Sequence, residues 1–487
     1  MTGVSEAGAK VPLRRIASLS GPRGVPLLGN ALQVAPARIH RDVEQWARRF
    51  GPLFRFRLGR QDVLVLADHE LVGRALRERP DVFGRSPATR VLGLEMGLPP
   101  GLFGSEGDTW RRYRRIVMAS FAPDHVRSYF PALVRVAQRL QGRWLEPARS
   151  GRPIELLPEL MRFTVDAIAG LALGADINTL EAGEDVIQQH LDKVLPAIFK
   201  RALTLIPYWR WFKLPSDRAL DRSVAVINAT ITGFIAQARE RLRANPELRE
   251  QPGNLLEAML AAAEQEGSAV TDRDVAGNVL TMLLAGEDTT ANTLAWMIYL
   301  LHRHPAALQR AQAEVRSLAG DAMALTPERL DQLVFLEACA HETMRLKPVA
   351  PFLLLQALRD TQIADVHVPR GTLVWTVLRH DSVNEAHFRN ASSFEPQRWL
   401  ADETGKATSA SAKRVAMPFG AGPRICPGRY LALLEIKLCM AALLGRFDIE
   451  VVETPDGGEA QEHLYFAMAP LGLRMRLREC RVDRTAA

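Results

Sequence analysis

Phe419-Gly-Ala-Gly-Pro-Arg-Ile-Cys-Pro-Gly428 decides how the rest of this chain is read. One cysteine, Cys426, sits among glycines and prolines, and the apolar run 430–444 follows with helical spacing. Gly422 and Gly428 permit a tight turn and close approach of the backbone to something flat. Backbone N–H groups freed by such a turn, together with the positive end of the following helix, stabilise a thiolate. Arg424 adds a cation two residues away. That chemistry suits a cysteine held as a metal ligand. A buried structural cysteine at a helix start is the plainer reading, and only the spacing of the surrounding residues displaces it.

The chain has 487 residues, a net charge of +7, 47% hydrophobic and 24% charged residues. This is the balance of a soluble globular protein. No Ser/Gly tract, charge block or repeat marks a linker, so residues 21–487 are expected to form a single domain behind a disordered tail, 1–20. No run of 18 uninterrupted apolar residues suggests a membrane span, and the first 19 residues lack the apolar core of a secretory signal. The cysteines are Cys339, Cys426, Cys439 and Cys480, with no Cys-x-x-Cys pair. A disulfide framework is not expected, and a reducing cytoplasm fits. The basic residues are dispersed and no aromatic-basic motif accompanies them, which argues against nucleic acid; an acidic protein partner is the better reading if the basic residues gather on one face.

Alternating residues from about 48 to 67 predict a hairpin turning near Gly59. Helical periodicity then dominates, over 110–121, 126–148, 156–173, 186–204, 219–244, 254–266, 272–302, 305–319 and 333–346. Thr271-Asp-Arg-Asp274 and Thr326-Pro-Glu328 look like helix starts. Strand signals return at 360–377 and 463–477. Ala285-Gly-Glu-Asp-Thr-Thr290 lies in the apolar middle of the longest helix. By propensity it is a poor helix centre, which points to function.

The spacing Phe-x-x-Gly-x-Arg-x-Cys-x-Gly, continued by Ala432 and Glu435, resembles the haem-ligand loop of the cytochrome P-450 family in every fixed position. The likeness runs from the Pro/Gly hinge near Gly21 to the final hairpin. It implies a mainly α fold with small β-sheets (α+β), a triangular helical prism. Haem b would lie between the long central helix and the helix after the cysteine loop, with the Cys426 thiolate as axial ligand and Phe419 and Gly420 beside it. The segment 285–290 resembles the family's oxygen-activation motif. By that resemblance Ala285 and Gly286 leave room above the haem, Thr289 faces dioxygen or an ordered water, Asp288 relays protons, and Glu287 occupies the variable position. Glu342-Thr-Met-Arg345 resembles the family's Glu-x-x-Arg pair, which Arg398 of Phe394-Glu-Pro-Gln-Arg398 would join in a buried ion network pinning the cysteine loop. Gln397 departs from the usual glutamate. Trp110 and Arg114, one helical turn apart, would reach the haem propionates, with Arg424 as a third contact.

The resemblance also implies a haem-dependent monooxygenase that hydroxylates or epoxidises a hydrophobic substrate. With no dinucleotide fingerprint and no iron–sulfur cysteine set, electrons are expected from a separate acidic ferredoxin or flavodoxin with its NAD(P)H reductase. That donor would dock near Arg111, Arg112, Arg115 and Arg429. The substrate wall is expected from 91–102, 195–199, 349–354 and 466–468, with Leu94, Met96, Phe199, Leu284, Val349, Phe352, Leu353, Phe466 and Ala467 facing the ligand. For the aromatic stretch 203–213, ordinary packing is favoured over contact with a lipid surface. Peroxide-driven oxidation or oxidative coupling on the same fold is the nearest rival. A non-catalytic haem sensor or carrier is the rival from another class, and an intact acid–threonine pair argues against it.

Overall fold

The computed structural model describes residues 12–181, 186–204, 206–265, 268–318, 325–400 and 408–480. Its longest element is the central helix Asp272–Arg303. The Thr271 hydroxyl accepts from the Asp274 N–H while the Asp274 carboxylate accepts from the Thr271 N–H. This reciprocal capping box satisfies two otherwise orphaned donors. Val279, Leu283, Ala291, Leu294, Ile298 and Leu301 are fully buried, so the helix is apolar on nearly every side and belongs inside the body. The helix Leu156–Leu173 lies along it. Gly286 makes that approach close: a Cβ there would stand 2.7 Å from the Ile168 side chain. Gly286 therefore serves helix packing, and the expectation that it leaves room above the haem is corrected. Ala285, exposed in the middle of this buried helix, faces the cavity instead.

The expected helices form with boundaries of Gly107–Ser120, Pro123–Ser150, Leu156–Leu173, Pro215–Ala244, Leu255–Glu264, Pro305–Leu318 and Val334–Leu346. The segment expected as one helix over 186–204 is two, Val186–Leu191 and Val194–Leu203. Residues 205, 266 and 319, at the edges of expected elements, lie outside the described residues. The hairpin pairs Leu53–Leu58 with Gln61–Leu66 around Gly59, whose φ is +60°. Its expected start was early, since Ile39–Phe50 is a helix with Ile39, Val43 and Ala47 buried on one face. Those strands continue, in order, through Leu373–Val377, Phe352–Ala357 and Phe83–Arg85. The C-terminal strands split between two sheets. Glu462–Leu464 pairs with Met468–Pro470, but Arg474–Glu479 pairs with Phe447–Glu453.

Residues 1–11 of the expected disordered tail lie outside the described residues. The remainder is docked: Arg14–Arg15 pairs with Val366 and His367, and Ile16 and Leu19 are buried in an apolar cluster with Leu64 and Val374. Among the described residues one helix, Pro215–Ala244, is long and apolar enough to cross a membrane by length and composition. In this fold its stripe of Leu220, Val224, Ile227, Ile231, Ile235 and Leu242 is buried against the body. The stretch 203–213 is divided. Trp209 is buried, with its indole donating to Glu95 at 3.1 Å, whereas Ile206, Trp211 and Phe212 are exposed.

Candidate functional site

The cysteine loop is a narrow turn closed by the Cys426 N–H donating to the Phe419 carbonyl at 3.0 Å. Two glycines take left-handed backbone angles, Gly420 at φ +73° and Gly422 at φ +71°. A Cβ on Gly422 would meet the Arg77 backbone at 2.6 Å, so the helix His69–Arg77 buttresses the loop from outside. A Cβ on Gly420 would meet nothing within 4 Å. Gly428 is an ordinary helix cap at φ −84°. The close approaches expected of Gly422 and Gly428 thus resolve differently: Gly422 admits a helix, and the open side of the loop is at Gly420.

Cys426 is partly exposed, while Cys339 and Cys439 are buried. Burial pushes the Cys426 thiol up; a backbone N–H from Gly428 and the Arg114 and Arg429 cations pull it down. The expected net depression is not seen in the polypeptide alone, because desolvation outweighs these donors. Arg424 contributes nothing there, being bound to the Ser105 carbonyl and Glu106. A metal cation on the sulfur would reverse the balance and hold the thiol deprotonated. Arg114, instead of standing free for propionates, donates to the Ile425 carbonyl at 2.6 Å and supplies positive charge to Cys426. The helix Arg429–Arg446 that follows packs against the central helix, and complete burial pushes Glu435 up to about 8, with Thr290 opposing the rise.

Arg79, Arg85 and Arg424 gather around Glu106. Burial lowers all three, Arg79 to about 10; Arg424 also repels Arg79 and Arg85, Arg114 repels Arg424, and Glu106 opposes. Guanidinium does not give up its proton in proteins, so three cations against one carboxylate leave a surplus of two positive charges. Nε of Arg79, Arg85 and Arg424, and Nη2 of Arg79, are buried with no hydrogen-bond partner. Arg424 stacks over the Trp110 ring at 4.6 Å. Such a cluster fits a ligand carrying two carboxylates, and haem b carries two. Sequence reasoning found Trp110 and Arg424 but missed Arg79, Arg85 and Glu106, which come together only in space.

An apolar cavity of about 600 Å³ borders the central helix. Leu94, Phe199, Leu284, Phe352, Leu353 and Phe466 line it as expected, with Ala285 and Thr289. Met96, Val349 and Ala467 do not. Met96 and Ala467 are buried in the core, and Val349 spends its carbonyl on the Met468 N–H. Phe103 and Arg85 were missed; the guanidinium lies 3.4 Å from the Phe103 ring centre on the cavity wall.

Thr289 faces the cavity with its hydroxyl donating to the Ala285 carbonyl at 2.7 Å. Asp288, about 100° around the helix, points into protein and is 3% exposed. Burial raises its carboxyl to about 6, with Asp192 adding to the rise and Tyr465 and Asn292 opposing it. The adjacent pair therefore divides between the cavity and the interior.

Glu342 and Arg345 are fully buried and joined bidentately at 2.7 and 2.8 Å. Glu342 also accepts from Arg398 Nε, the Trp399 indole and the Glu395 N–H, each within 2.9 Å. Arg345 donates to the carbonyls of Ser382, Ala391 and Ser393. The network forms as expected but pins residues 382–399. Its link to the cysteine loop is indirect, through the cluster of Trp399 with Ala412, Val415 and Ala416. On the expected donor face, Arg111 is paired with Asp81 and Asp108, and Arg112 is half-buried beside Tyr113. Arg115 and Arg429 remain exposed.

A family model described as Cytochrome P450 matches residues 19–476. Steroid 17-alpha-hydroxylase/17,20 lyase of Felis catus is 26% identical over 489 residues, covering 97% of this chain and 93% of that protein. Mitochondrial 25-hydroxyvitamin D-1 alpha hydroxylase of Homo sapiens is 28% identical over 92% of this chain and 89% of its own length. The chloroplastic protein LUTEIN DEFICIENT 5 of Arabidopsis thaliana is 26% identical over 82% and 68%.

Proposed function

The chain belongs to the cytochrome P450 family of haem-thiolate monooxygenases, and from that premise we propose that it inserts one oxygen atom of O₂ into a lipophilic molecule of steroid or terpene size, with electrons from a separate acidic protein. The observation that carries this reading is the largely apolar cavity with Thr289 in its wall. The relatives named for steroid and vitamin D hydroxylation support the size class. Haem, when bound, supplies the oxidising chemistry, which thiolate ligation favours. Cys426 would hold its iron, and Arg79, Arg85, Arg424 and the Trp110 indole its carboxylates.

The remaining work falls to the chain. Leu284, Phe352 and Phe466 orient an apolar substrate and exclude water. Thr289 presents a hydroxyl to the reacting side of the cavity. Asp288, titrating near pH 6, is matched to holding and releasing a proton at neutral pH. The exposed Arg115 and Arg429 would attract an acidic ferredoxin or flavodoxin.

The test is isotopic. Haem-loaded protein with NAD(P)H, a ferredoxin or flavodoxin with its reductase, and a bound lipophile should place one atom from ¹⁸O₂ in the product. Turnover with peroxide alone, and none with the donor proteins, would overturn the reading.

A further inference from the structure

A buried acid that is reprotonated in every turnover needs a path to water, and among the described residues Tyr465 offers one to Asp288. The Tyr465 hydroxyl donates to Asp288 Oδ1 at 2.6 Å. Asn292 Nδ2 gives one hydrogen to the Asp288 backbone carbonyl at 2.7 Å and shares the other between the same carboxylate oxygen at 2.8 Å and the Tyr465 oxygen at 3.0 Å, closing a triangle. Tyr465 occupies the turn between the strands Glu462–Leu464 and Met468–Pro470 and is half-buried. Its hydroxyl thus meets the acid from a residue that is itself partly exposed. Asp192, exposed at the break between the helices Val186–Leu191 and Val194–Leu203, acts electrostatically on both Asp288 and Tyr465. Asp288 Oδ2 is buried with no hydrogen-bond partner, which leaves that oxygen free to pass a proton onward.

We infer that Tyr465, positioned by Asn292, is the outer station of the proton path to Asp288 and carries protons inward from water on the Asp192 side. In one transfer the Tyr465 O–H bond breaks as an O–H bond forms on Asp288 Oδ1, and rotation of the carboxyl then carries that proton to the Oδ2 position, from which it is passed on. The phenol oxygen takes a replacement proton from water in the same movement, and the buffer makes up the proton that water loses. No electrons change hands. Burial and the Asp288 charge hold the phenol proton well above the ordinary tyrosine range, so a free tyrosinate is not populated. Among the described residues the ionisable groups that act on Asp288 are Tyr465 from the hairpin and Asp192 from the helix break, and Glu287 precedes it on the central helix. The inference rests on the monooxygenase reading, but part of its test needs no turnover.

The experiment uses haem-loaded Tyr465→Phe, which keeps the ring and removes the hydroxyl. The infrared carboxylic-acid band of Asp288, assigned by its loss in Asp288→Asn, reports its titration in the resting protein. Loss of a donor to the charged form should move its midpoint upward by about one pH unit. Asp192→Asn should move it the other way, since a like charge is removed. In turnover, Tyr465→Phe should leave the substrate-induced Soret shift unchanged, lower product formed per NAD(P)H, and raise the solvent deuterium isotope effect. An unchanged midpoint would show that the hydroxyl does not engage the acid. A shifted midpoint with unchanged coupling and isotope effect would show that protons take another path. Either result overturns the inference, and neither touches the ¹⁸O₂ test.

Discussion

Replacing Asp288 by Asn should make the protein more stable and less active, and the stability gain should depend on pH in a defined way. Burial holds the Asp288 carboxyl neutral up to about pH 6, where an ordinary aspartate ionises near 4. The folded state therefore binds this proton more tightly than the unfolded chain. Between those two values stability falls as pH rises, and above about pH 6 the full cost is present. At about 1.4 kcal/mol per pH unit the cost is about 3 kcal/mol at pH 7–8 and about half of that at pH 5. Asparagine is nearly isosteric, its oxygen can still accept from Tyr465 and Asn292, and it carries no charge. A domain of this size unfolds with an entropy of about 1 kcal/mol/K, so Asp288→Asn should raise the melting temperature of the haem-loaded protein by about 3 °C at pH 8. At pH 5 the gain should be about half as large. The assay is calorimetry or far-UV melting of the two proteins side by side at both pH values, at a fixed scan rate. Substrate binding, read from the Soret shift, should not change, while coupled product formation should fall. An equal melting difference at pH 5 and pH 8, or a loss of stability at pH 8, would refute the claim that this acid is strained by burial.

The network around Glu342 gives the opposite sign: Arg345→Ala leaves a fully buried carboxylate short of its bidentate partner, a loss of about 3–5 kcal/mol. Little soluble haem-loaded protein should be recovered, and a fully loaded, normally melting variant would show that the network is dispensable. Arg85→Ala should speed haem loss to an acceptor protein while leaving the haem-free protein no less stable, because it relieves a charge surplus; slower haem loss would disprove the assignment. Cys426→Ala should abolish the long-wavelength band of the reduced carbon monoxide complex, and Cys439→Ala should keep it. Arg115→Glu and Arg429→Glu should slow reduction by an acidic donor, with a rate that falls as salt shortens the range of attraction to about 8 Å. Arg111→Glu should matter less, since Asp81 and Asp108 already neutralise that side chain.

What could be read along the chain was whatever a local pattern decides. The central helix announced itself through the Thr271–Asp274 box and an apolar run on all sides, and the helix Leu156–Leu173 matched its periodicity at both ends. The helices His69–Arg77 and Pro87–Glu95 escaped because nine residues give too few turns to separate from loop. Ile39–Phe50 was partly absorbed into a strand reading, although Ile39, Val43 and Ala47 carry the one-sided spacing that would have found it. Pairing of Arg474–Glu479 with Phe447–Glu453 was invisible for a different reason. Strand partners are chosen by tertiary packing, and alternation alone gives the strand but not its neighbour.

The site divides along the same line. Cys426, Thr289, Asp288 and the pair Glu342–Arg345 stand in fixed local spacings, so sequence placed each on its element. What sequence could not supply was the direction each side chain faces. Gly286 stands beside Ala285, yet it meets Ile168 while Ala285 meets the cavity. Asp288 stands beside Thr289, yet it meets Tyr465, 177 residues further on, while Thr289 meets the cavity. The arginine cluster makes the point most strongly. Arg79 and Arg85 lie more than 300 residues from Arg424, and each alone is an unremarked basic residue in a chain with 62 Lys and Arg. Brought around one carboxylate, they become an arrangement that the polypeptide cannot balance by itself. Buried cations short of partners are costly, and Arg79, Arg85 and Arg424 each keep at least one buried guanidinium nitrogen unpaired beside Glu106, so the cluster favours an anion from outside. The two charges still uncompensated there match the two carboxylates of haem b, a conclusion reached from arginine and glutamate alone and independent of Cys426.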